Sequence, residues 1–342
     1  MRAVYFDGNN LLYKKFKEPY AAAEEVKIRF EFGGICSTDL EILKGYKGFI
    51  GVIGHEVVGT VVSAPGVPEL INKRVVFNIN ISCNSSDCPY CSKGLQKHCL
   101  KRKAVGISEF FGAFSEYFIL PLFNIVVVPD NLNPLKAVFA EPLAAAIEPL
   151  DRGLITHEDE IAVFGVGKLG TLALLALQSL NYNVIGIVST EKRRDFLHQR
   201  FPHLKLSLLK EVVGRFDVIY EATGTASTMG NMLNYVKPQG KLILKSTLAE
   251  IKINKENKES ELINAFTAHD VNNIVINEIS LHGSRCGNIQ HAVDMLSSGD
   301  VDPTPLIAAK YPLAKAGAAF KKAANNAGEK VILYQDNVDE IS

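Results

Sequence analysis

Four of the six cysteines in this 342-residue chain lie close together. They are Cys83, Cys88, Cys91 and Cys99. Four closely spaced thiolates are typical of a structural zinc, which they enclose as a tetrahedron without leaving a position for a substrate. Six cysteines are too few for a secreted disulfide scaffold of this length. The pattern therefore predicts a structural zinc lobe over residues 83–99, with unliganded thiols as the alternative.

A second group of possible zinc ligands is spread more widely along the chain. His55 lies 19 residues after Cys36, and Glu56 follows it directly. Thiolate, imidazole and carboxylate all bind zinc, and three protein ligands leave a fourth position open for a substrate. Glu141 supplies a further carboxylate. Each residue alone also fits a structural role, as a small buried thiol, a core histidine or an acid at a helix start. Beside a nucleotide-binding motif, the group as a whole favours a catalytic zinc site.

That motif is the glycine-rich run GVGKLG at 165–170, which follows a short apolar run and opens an apolar segment of helical length. In this context GxGxxG predicts a dinucleotide-binding loop. The first glycine allows a tight turn, the second lets a pyrophosphate approach the backbone, and the third lets the helix pack on the strand. A turn that merely tolerates glycine is the alternative. The residues predicted to bind the cofactor here are Gly165, Gly167, Lys168, Leu169 and Gly170.

The residues after the next predicted strand bear on the choice of nicotinamide cofactor. About 20 residues past the motif, an acidic residue would bind the ribose 2′-hydroxyl of NAD. Ser189 and Thr190 occupy that place, and Arg193 and Arg194 follow. Hydroxyls and cations would accept a 2′-phosphate, so NADP is favoured. NAD remains the alternative, because Glu191 could reach the ribose and basic residues at a helix start often only face solvent.

The composition limits the class of protein. Lys+Arg and Asp+Glu both number 37, and the isoelectric point is about 7.1, so we expect no nucleic-acid or membrane partner. No stretch of the sequence approaches 18 consecutive apolar residues, and the first residues lack the apolar core of a signal peptide. We therefore expect a soluble, cytoplasmic, globular protein that acts on a small molecule.

Three zones of the chain must position these residues. Residues 1–141 carry short β-rich runs, predicted at 26–32, 57–62, 74–81 and 124–128. Residues 142–284 alternate strands with helices, which predicts a doubly wound parallel sheet with helices on both faces. The predicted elements are strands at 161–164, 184–188, 216–220 and 241–244 and a helix at 169–180.

The third zone, residues 285–342, contains a predicted helix at 289–297, an amphipathic segment at 313–324 and a strand at 330–334. One polar, lysine-rich segment, 251–270, does not fit the alternation of the second zone. We predict that it is a surface insertion, formed by a loop with a short helix.

Several motifs in order resemble the zinc-dependent alcohol dehydrogenase branch of the medium-chain dehydrogenase/reductase superfamily. Besides the cysteine lobe, they are GGICSTDLEI at 33–42, GHEVVG at 54–59, GAFSEYFILP at 112–121, AEPLAAA at 140–146, VFGVGKLG at 163–170 and EISLHGSRCG at 278–287. The resemblance implies a GroES-like catalytic domain, 1–141, completed by 285–342, with a Rossmann domain inserted at 142–284.

The resemblance also implies ligand roles. Cys36, His55 and Glu56 match catalytic-zinc ligands, whereas Glu141 falls where classical alcohol dehydrogenases have a ligand cysteine. A glutamate before Pro-Leu is similar to the polyol, sugar and threonine dehydrogenase branches, where it binds zinc directly or holds the zinc-bound water. Glu56 and Glu141 could therefore exchange roles.

The proton path and the second ligand shell follow from the same resemblance. Thr38 matches the hydroxyl that relays the substrate proton, and Asp39 matches the carboxylate that orients the ligand histidine. Two features depart from the family. Glu41 stands where many members have a histidine, so the path beyond Thr38 is open or Glu41 is the base. Four residues separate the first two cysteines of the lobe where two are usual, and we expect this to distort the loop.

The implied activity is hydride transfer between an alcohol, polyol or sugar hydroxyl and NADP or NAD, with zinc lowering the pKa of the substrate hydroxyl. A zinc-free quinone or enone reductase of the same superfamily is one alternative, although it would lack the Cys36, His55 and Glu56 set. A catalytically degenerate nucleotide-binding regulatory protein is the other. Relatives imply a homodimer or homotetramer.

Overall fold

The structure is a computed structural model that describes residues 1–247, 266–326 and 328–335. The chain divides into two compact units, Met1–Ala144 with Asn288–Ser342 and Ala145–Gly287. These divisions fall three residues beyond the predicted boundaries at 141 and 284. None of the helices in the described ranges is long and apolar enough to cross a membrane.

The strands are numbered in chain order. They are β1 Arg2–Phe6, β2 Leu11–Lys15, β3 Glu25–Gly34, β4 Gly51–Val52, β5 Glu56–Ser63, β6 Arg74–Phe77, β7 Asn80–Ile81, β8 Lys103–Val105, β9 Glu109–Phe110, β10 Tyr117–Pro121, β11 Ile125–Val127, β12 Ile161–Phe164, β13 Val184–Val188, β14 Leu206–Leu208, β15 Phe216–Glu221, β16 Val236–Leu244, β17 Ser280–Gly283, β18 Ile307–Pro312 and β19 Lys330–Tyr334.

The α-helices are numbered in the same way. They are α1 Ser37–Ile42, α2 Pro134–Ala137, α3 Ala140–Asp151, α4 Lys168–Ser179, α5 Glu191–Arg200, α6 Ala226–Met232, α7 Ala268–Ile276, α8 Ile289–Ser298 and α9 Ala316–Asn325. Most of the predicted insertion at 251–270 lies outside the described residues, and its last three residues begin α7.

The first unit is built mainly from β-strands. Its largest sheet has the order β11-β6-β5-β3-β19-β18, with β10 also paired to β3. In β3, Val26, Ile28 and Phe30 alternate with more exposed residues, because successive side chains of a strand point to opposite faces. Phe30 packs edge-on against Phe114, with ring centroids 6.4 Å apart. The C-terminal segment returns to this sheet through β18 and β19.

One predicted strand in this unit is wrong. The run 74–81 forms two strands, β6 and β7, which belong to different sheets. The break falls at residues 78 and 79, where the side-chain oxygen of Asn78 accepts a hydrogen bond from the backbone N–H of Asn80 at 2.9 Å. Asparagine side chains bond to nearby backbone groups in this way at turns, and the apolar pattern alone does not reveal the turn.

The second unit is a parallel α/β sheet, which confirms the predicted fold class. Its strand order is β14-β13-β12-β15-β16-β17, and all five strand pairs are parallel. Every residue of β12 is buried, as expected for the centre of a parallel sheet. The carboxyl ends of β12, β13, β15 and β16 therefore share one edge, and this edge carries the glycine motif.

Candidate metal centre and nucleotide-binding loop

The pairing of β3 with β5 brings Cys36, His55 and Glu56 together. Gly34, the last residue of β3, pairs with Glu56, the first residue of β5, and the strands are antiparallel. Cys36, just after the end of β3, therefore lies beside His55, just before the start of β5. Among the described residues, one donor atom from each of the three lies within 4.8 Å of the others.

Asp39 supports this group from helix α1. Its carboxylate accepts a hydrogen bond from the Cys36 backbone N–H at 2.8 Å and lies 3.2 Å from His55 Nδ1, with Asp39 fully buried. Burial lowers the pKa of His55, but attraction by the neighbouring Asp39 and Cys36 side chains outweighs burial and raises it well above its usual value. Asp39 thus binds the backbone of Cys36 and lies against the ring of His55.

Lys330 contacts the same group, and the sequence analysis did not identify it. It begins β19, which pairs with the end of β3, and its ammonium forms a salt bridge with Glu56 Oε2, with side chains 2% and 1% exposed. Burial lowers the pKa of Lys330, but the attraction of Glu56 and Cys36 raises it overall. The only sequence signal is a lysine at the head of the apolar run KVILY, which also fits an exposed strand end.

Gly34 lies between these two charged side chains. A Cβ at Gly34 would lie 2.6 Å from Glu56 Oε2 and 3.1 Å from Lys330 Cδ. Real Cβ atoms do not approach other atoms this closely, so a side chain here would push the pair apart. Glycine is therefore needed at position 34 for space, since its backbone is not in the left-handed region.

Glu141 is not brought into the donor group. It lies in the first turn of α3 and is not among the described donors within 4.8 Å of one another. Burial raises the pKa of Glu141 to about 7; attraction by His55 lowers it and repulsion by Glu56 raises it. The charges of His55 and Glu56 therefore influence the Glu141 carboxyl group, although it does not belong to the group of mutually close donors.

The two candidate proton-path residues lie on α1. Thr38 is half-buried in the first turn of the helix, two residues after Cys36. Glu41 forms a salt bridge with Lys44 at 2.8 Å, with both side chains exposed to solvent. Both roles stay predictions.

The cysteine lobe gathers its four sulfurs within 4.8 Å of one another. Sγ–Sγ distances are 3.8 Å for Cys83 and Cys91, 3.9 Å for Cys88 and Cys99, and 3.5 Å for Cys83 and Cys99. Zn–S bonds of about 2.3 Å in a tetrahedron place sulfurs about 3.8 Å apart. The four-residue gap after Cys83 does not prevent this convergence. The donor set therefore fits a structural zinc.

Backbone groups of the lobe also favour thiolates. N–H groups of Cys91 and Tyr90 lower the pKa of the Cys88 thiol to about 6. A thiolate is the form that binds a metal, so the loop backbone prepares this ligand.

Each glycine of the motif is required for a different spatial reason. Gly165 has φ +87°, and a Cβ there would lie 2.6 Å from the backbone of Ala222 and Thr223. A Cβ at Gly170 would lie 2.3 Å from the carbonyl oxygen of Gly165. At Gly167 nothing lies within 4 Å, so open space faces the backbone at the start of α4. This matches the role of the second glycine, where a pyrophosphate approaches.

Arg193 connects the second predicted cofactor segment to this loop. Its Nε donates a 2.8 Å hydrogen bond to the carbonyl oxygen of Val166, in the glycine motif. Ser189 and Thr190 are exposed at the end of β13, and the Thr190 side chain caps α5 by accepting from the Arg193 backbone N–H at 3.2 Å. Arg194 forms a salt bridge with Glu211 at 3.3 Å.

Known proteins are similar to this chain in sequence and in fold. Residues 22–130 match the family model of the alcohol dehydrogenase GroES-like domain. The chain is 27% identical over 324 residues to an uncharacterized zinc-type alcohol dehydrogenase-like protein of Haemophilus influenzae, with 87% of each chain covered. It is 26% identical over 343 residues to the D-arabitol-phosphate dehydrogenase of Enterococcus avium, covering 94% of this chain and 93% of that protein.

The chain is therefore similar, over most of its length, to zinc-type alcohol and polyol dehydrogenases. The crystal structure of the Escherichia coli CFT073 alcohol dehydrogenase rspB complexed with NADH has a TM-score of 0.85 to this chain at 22% identity and covers 98% of this chain and 99% of that one. The two chains therefore share one fold over nearly their whole length.

Proposed function

We propose that the chain is a zinc-dependent oxidoreductase that transfers a hydride between a small alcohol and a nicotinamide cofactor. The observation that carries the proposal is the convergence of Cys36, His55 and Glu56 in a chain that also has a dinucleotide-binding loop. This donor set suits zinc, and the loop suits the pyrophosphate of a nicotinamide cofactor. Nothing in the described residues favours a zinc-free reductase or a regulatory protein.

The catalytic zinc would be held by Cys36 and His55 together with a carboxylate, and the structural zinc by the cysteine lobe. When bound, the catalytic zinc supplies Lewis acidity that lowers the pKa of the substrate hydroxyl. Because Lys330 engages Glu56 through Oε2, Glu56 would bind a metal through its other oxygen. Glu141, whose pKa is raised to about 7, would have to release a proton to become a ligand.

The protein's own groups then handle the proton. In the oxidation direction the substrate carbon gives up a hydride, which carries both electrons of the C–H bond to the nicotinamide ring, and the hydroxyl oxygen loses a proton. We assign Thr38 to pass that proton towards solvent. Asp39 keeps the His55 ring in place through the 3.2 Å contact with Nδ1, since a ligand histidine must keep its orientation. The product is a ketone or an aldehyde.

We assign NADP as the preferred cofactor, with NAD as the alternative. Arg193 supports this choice because it reaches the glycine loop from the segment that follows Ser189. Glu191, the carboxylate that would favour NAD, forms a salt bridge with Lys210 at 3.0 Å. Arg194 is engaged with Glu211, so Ser189, Thr190 and Arg193 are the stronger candidates for a 2′-phosphate.

The proposed substrate is a polyol, a sugar or a related alcohol. The relative from Enterococcus avium is a D-arabitol-phosphate dehydrogenase, and it covers almost the whole chain. A glutamate at position 141 favours the same substrate class. The assembly is proposed to be a homodimer or homotetramer in the cytoplasm.

The test is an activity screen with a matched pair of cysteine variants. Purified protein is incubated with polyols, sugars and simple alcohols together with NADP or NAD, and reduced cofactor is measured by absorbance. Cys36→Ser should lose activity by at least a hundredfold, while Cys286→Ser should keep it. Equal activity of Cys36→Ser and the unaltered protein would overturn the proposed role of this site.

A further inference from the structure

Glu221 is a buried carboxylate that the proposed mechanism does not use. It is the last residue of β15, a central strand of the parallel sheet, and it is 0% exposed. A buried carboxylate is costly unless hydrogen bonds satisfy it, so its partners indicate its role.

Glu221 accepts four hydrogen bonds from two loops. Oε1 accepts from the backbone N–H of Thr223 at 2.7 Å, from the Thr223 hydroxyl at 2.8 Å and from the backbone N–H of Gly224 at 3.0 Å. Oε2 accepts from the backbone N–H of Ser246 at 3.2 Å. The first loop follows β15 and the second follows β16. One side chain therefore ties together the loops that leave two neighbouring strands.

The first of these loops also touches the glycine motif. A Cβ at Gly165 would lie 2.6 Å from both the carbonyl carbon of Ala222 and the nitrogen of Thr223. The Ala222 backbone N–H donates to the Phe164 carbonyl oxygen at 2.8 Å. Because the backbone of residues 222–223 packs directly on that of residues 164–165, a shift of residues 222–224 would displace the glycine motif.

We propose that Glu221 is a positioning residue for the nicotinamide cofactor, because its carboxylate holds the 222–224 and 245–246 loops at the edge where the glycine motif lies. The inference rests on the proposed function, since it assumes that this edge binds NADP or NAD. Ligands of open parallel sheets bind outside the carboxyl ends of the strands, which is where both loops lie. A carboxylate suits the role because it offers only acceptors, and all four partners are donors.

The test uses a nearly isosteric change. Glu221→Gln turns one acceptor oxygen into a donating NH₂ group, so either the Thr223 and Gly224 donors or the Ser246 donor face another donor. We expect the dissociation constants of NADPH and NADH, measured by titration without substrate, to rise about tenfold. The KM for the cofactor should rise similarly, with kcat at saturating cofactor changed less than about threefold. The amides of Thr223, Gly224 and Ser246 should exchange hydrogen faster.

Asp217→Asn is the matched control, because it makes the same change at the opposite end of β15. It should leave both dissociation constants unchanged. A folded Glu221→Gln protein that binds cofactor as tightly as the unaltered protein would overturn the inference. If Glu221→Gln does not fold, cofactor binding is measured in Thr223→Val instead. We expect the dissociation constants of this variant to be about threefold larger than those of the unaltered protein, and unchanged values would overturn the inference. Absence of NADPH and NADH binding by the unaltered protein would instead refute the proposed function.

Discussion

Glu56 and Lys330 form a buried salt bridge across the end of strand β3, in space that Gly34 leaves free. The two residues are 274 positions apart in the chain and lie on β5 and β19, which both pair with the carboxyl end of β3. The pair connects the N-terminal part of the first unit to its C-terminal segment at the candidate metal centre. A buried charge in this position depends on its partner.

Removing the ammonium should destabilise the protein strongly. Lys330→Met leaves the buried Glu56 without its ammonium partner, which should cost about 3–5 kcal/mol of the free energy of unfolding. Urea unfolding measures the loss, with Lys310→Met, an exposed lysine on β18, as control. The double variant Glu56→Gln/Lys330→Met should be more stable than Lys330→Met alone, because it no longer buries an unpaired carboxylate. A loss below about 1 kcal/mol in Lys330→Met would show that the pair is not formed.

Position 34 should not accept a methyl group. Gly34→Ala places Cβ 2.6 Å from Glu56 Oε2, so we expect a loss of stability of about 1–3 kcal/mol and weaker zinc binding at the Cys36 site. Gly317→Ala is the control, because it lies in α9 with nothing within 4 Å of the new Cβ. That change should be neutral or stabilising by up to about 1 kcal/mol. Equal thermal unfolding of the two variants would contradict this account of Gly34.

Cofactor preference should depend on Arg193. Arg193→Gln removes a charge next to the glycine loop, so the ratio of kcat/KM for NADP to that for NAD should fall by about tenfold or more. Arg200→Gln, at the last turn of the same helix, should leave the ratio unchanged. A ratio that does not move in Arg193→Gln would favour NAD or a different site for the 2′-phosphate.

The Asp217–Lys237 pair should make the second unit sensitive to acid. Burial raises the pKa of Asp217, but the Glu160 backbone N–H and the Lys237 ammonium at 3.0 Å outweigh burial and lower it below 3.8. A lowered carboxyl pKa gives stability that is fully present above the unfolded-state value and is lost as pH falls through the folded-state value.

Asp217→Asn should therefore lower the midpoint of thermal unfolding at pH 7, by a free energy below about 1 kcal/mol because the pair is partly exposed. The difference from the unaltered protein should shrink below pH 4. A difference that stays constant with pH would show that the charge of Asp217 contributes nothing.

Sequence patterns predicted the parts of the site that depend on residue type and on neighbouring segments of the chain. Cys36 and His55 could be grouped from their types, and the glycine motif from its place between a strand and a helix. The parallel sheet followed from the alternation of elements. The division of 74–81 into two strands was missed, since it depends on a turn formed by the Asn78 side chain.

Lys330 could not be predicted, because its role arises from the pairing of β19 with β3, far away in the chain. The same holds for Glu221, whose partners lie on two different loops. For Glu141 the sequence indicated more than the structure shows. The sequence grouped it with the possible zinc ligands, but it is not among the residues whose donor atoms lie within 4.8 Å of one another. Residues that act through long-range pairing carry no local signal.

Zinc content per chain decides whether the chain holds a catalytic zinc in addition to a structural one. Metal analysis of protein purified without chelator should give about two zinc ions per chain, and Cys36→Ser should lower this to about one. Cys88→Ser should lose the other ion and unfold at a lower temperature, while Cys286→Ser keeps both. About one zinc in the unaltered protein, unaffected by Cys36→Ser but lost in Cys88→Ser, would contradict a catalytic zinc at Cys36, His55 and Glu56.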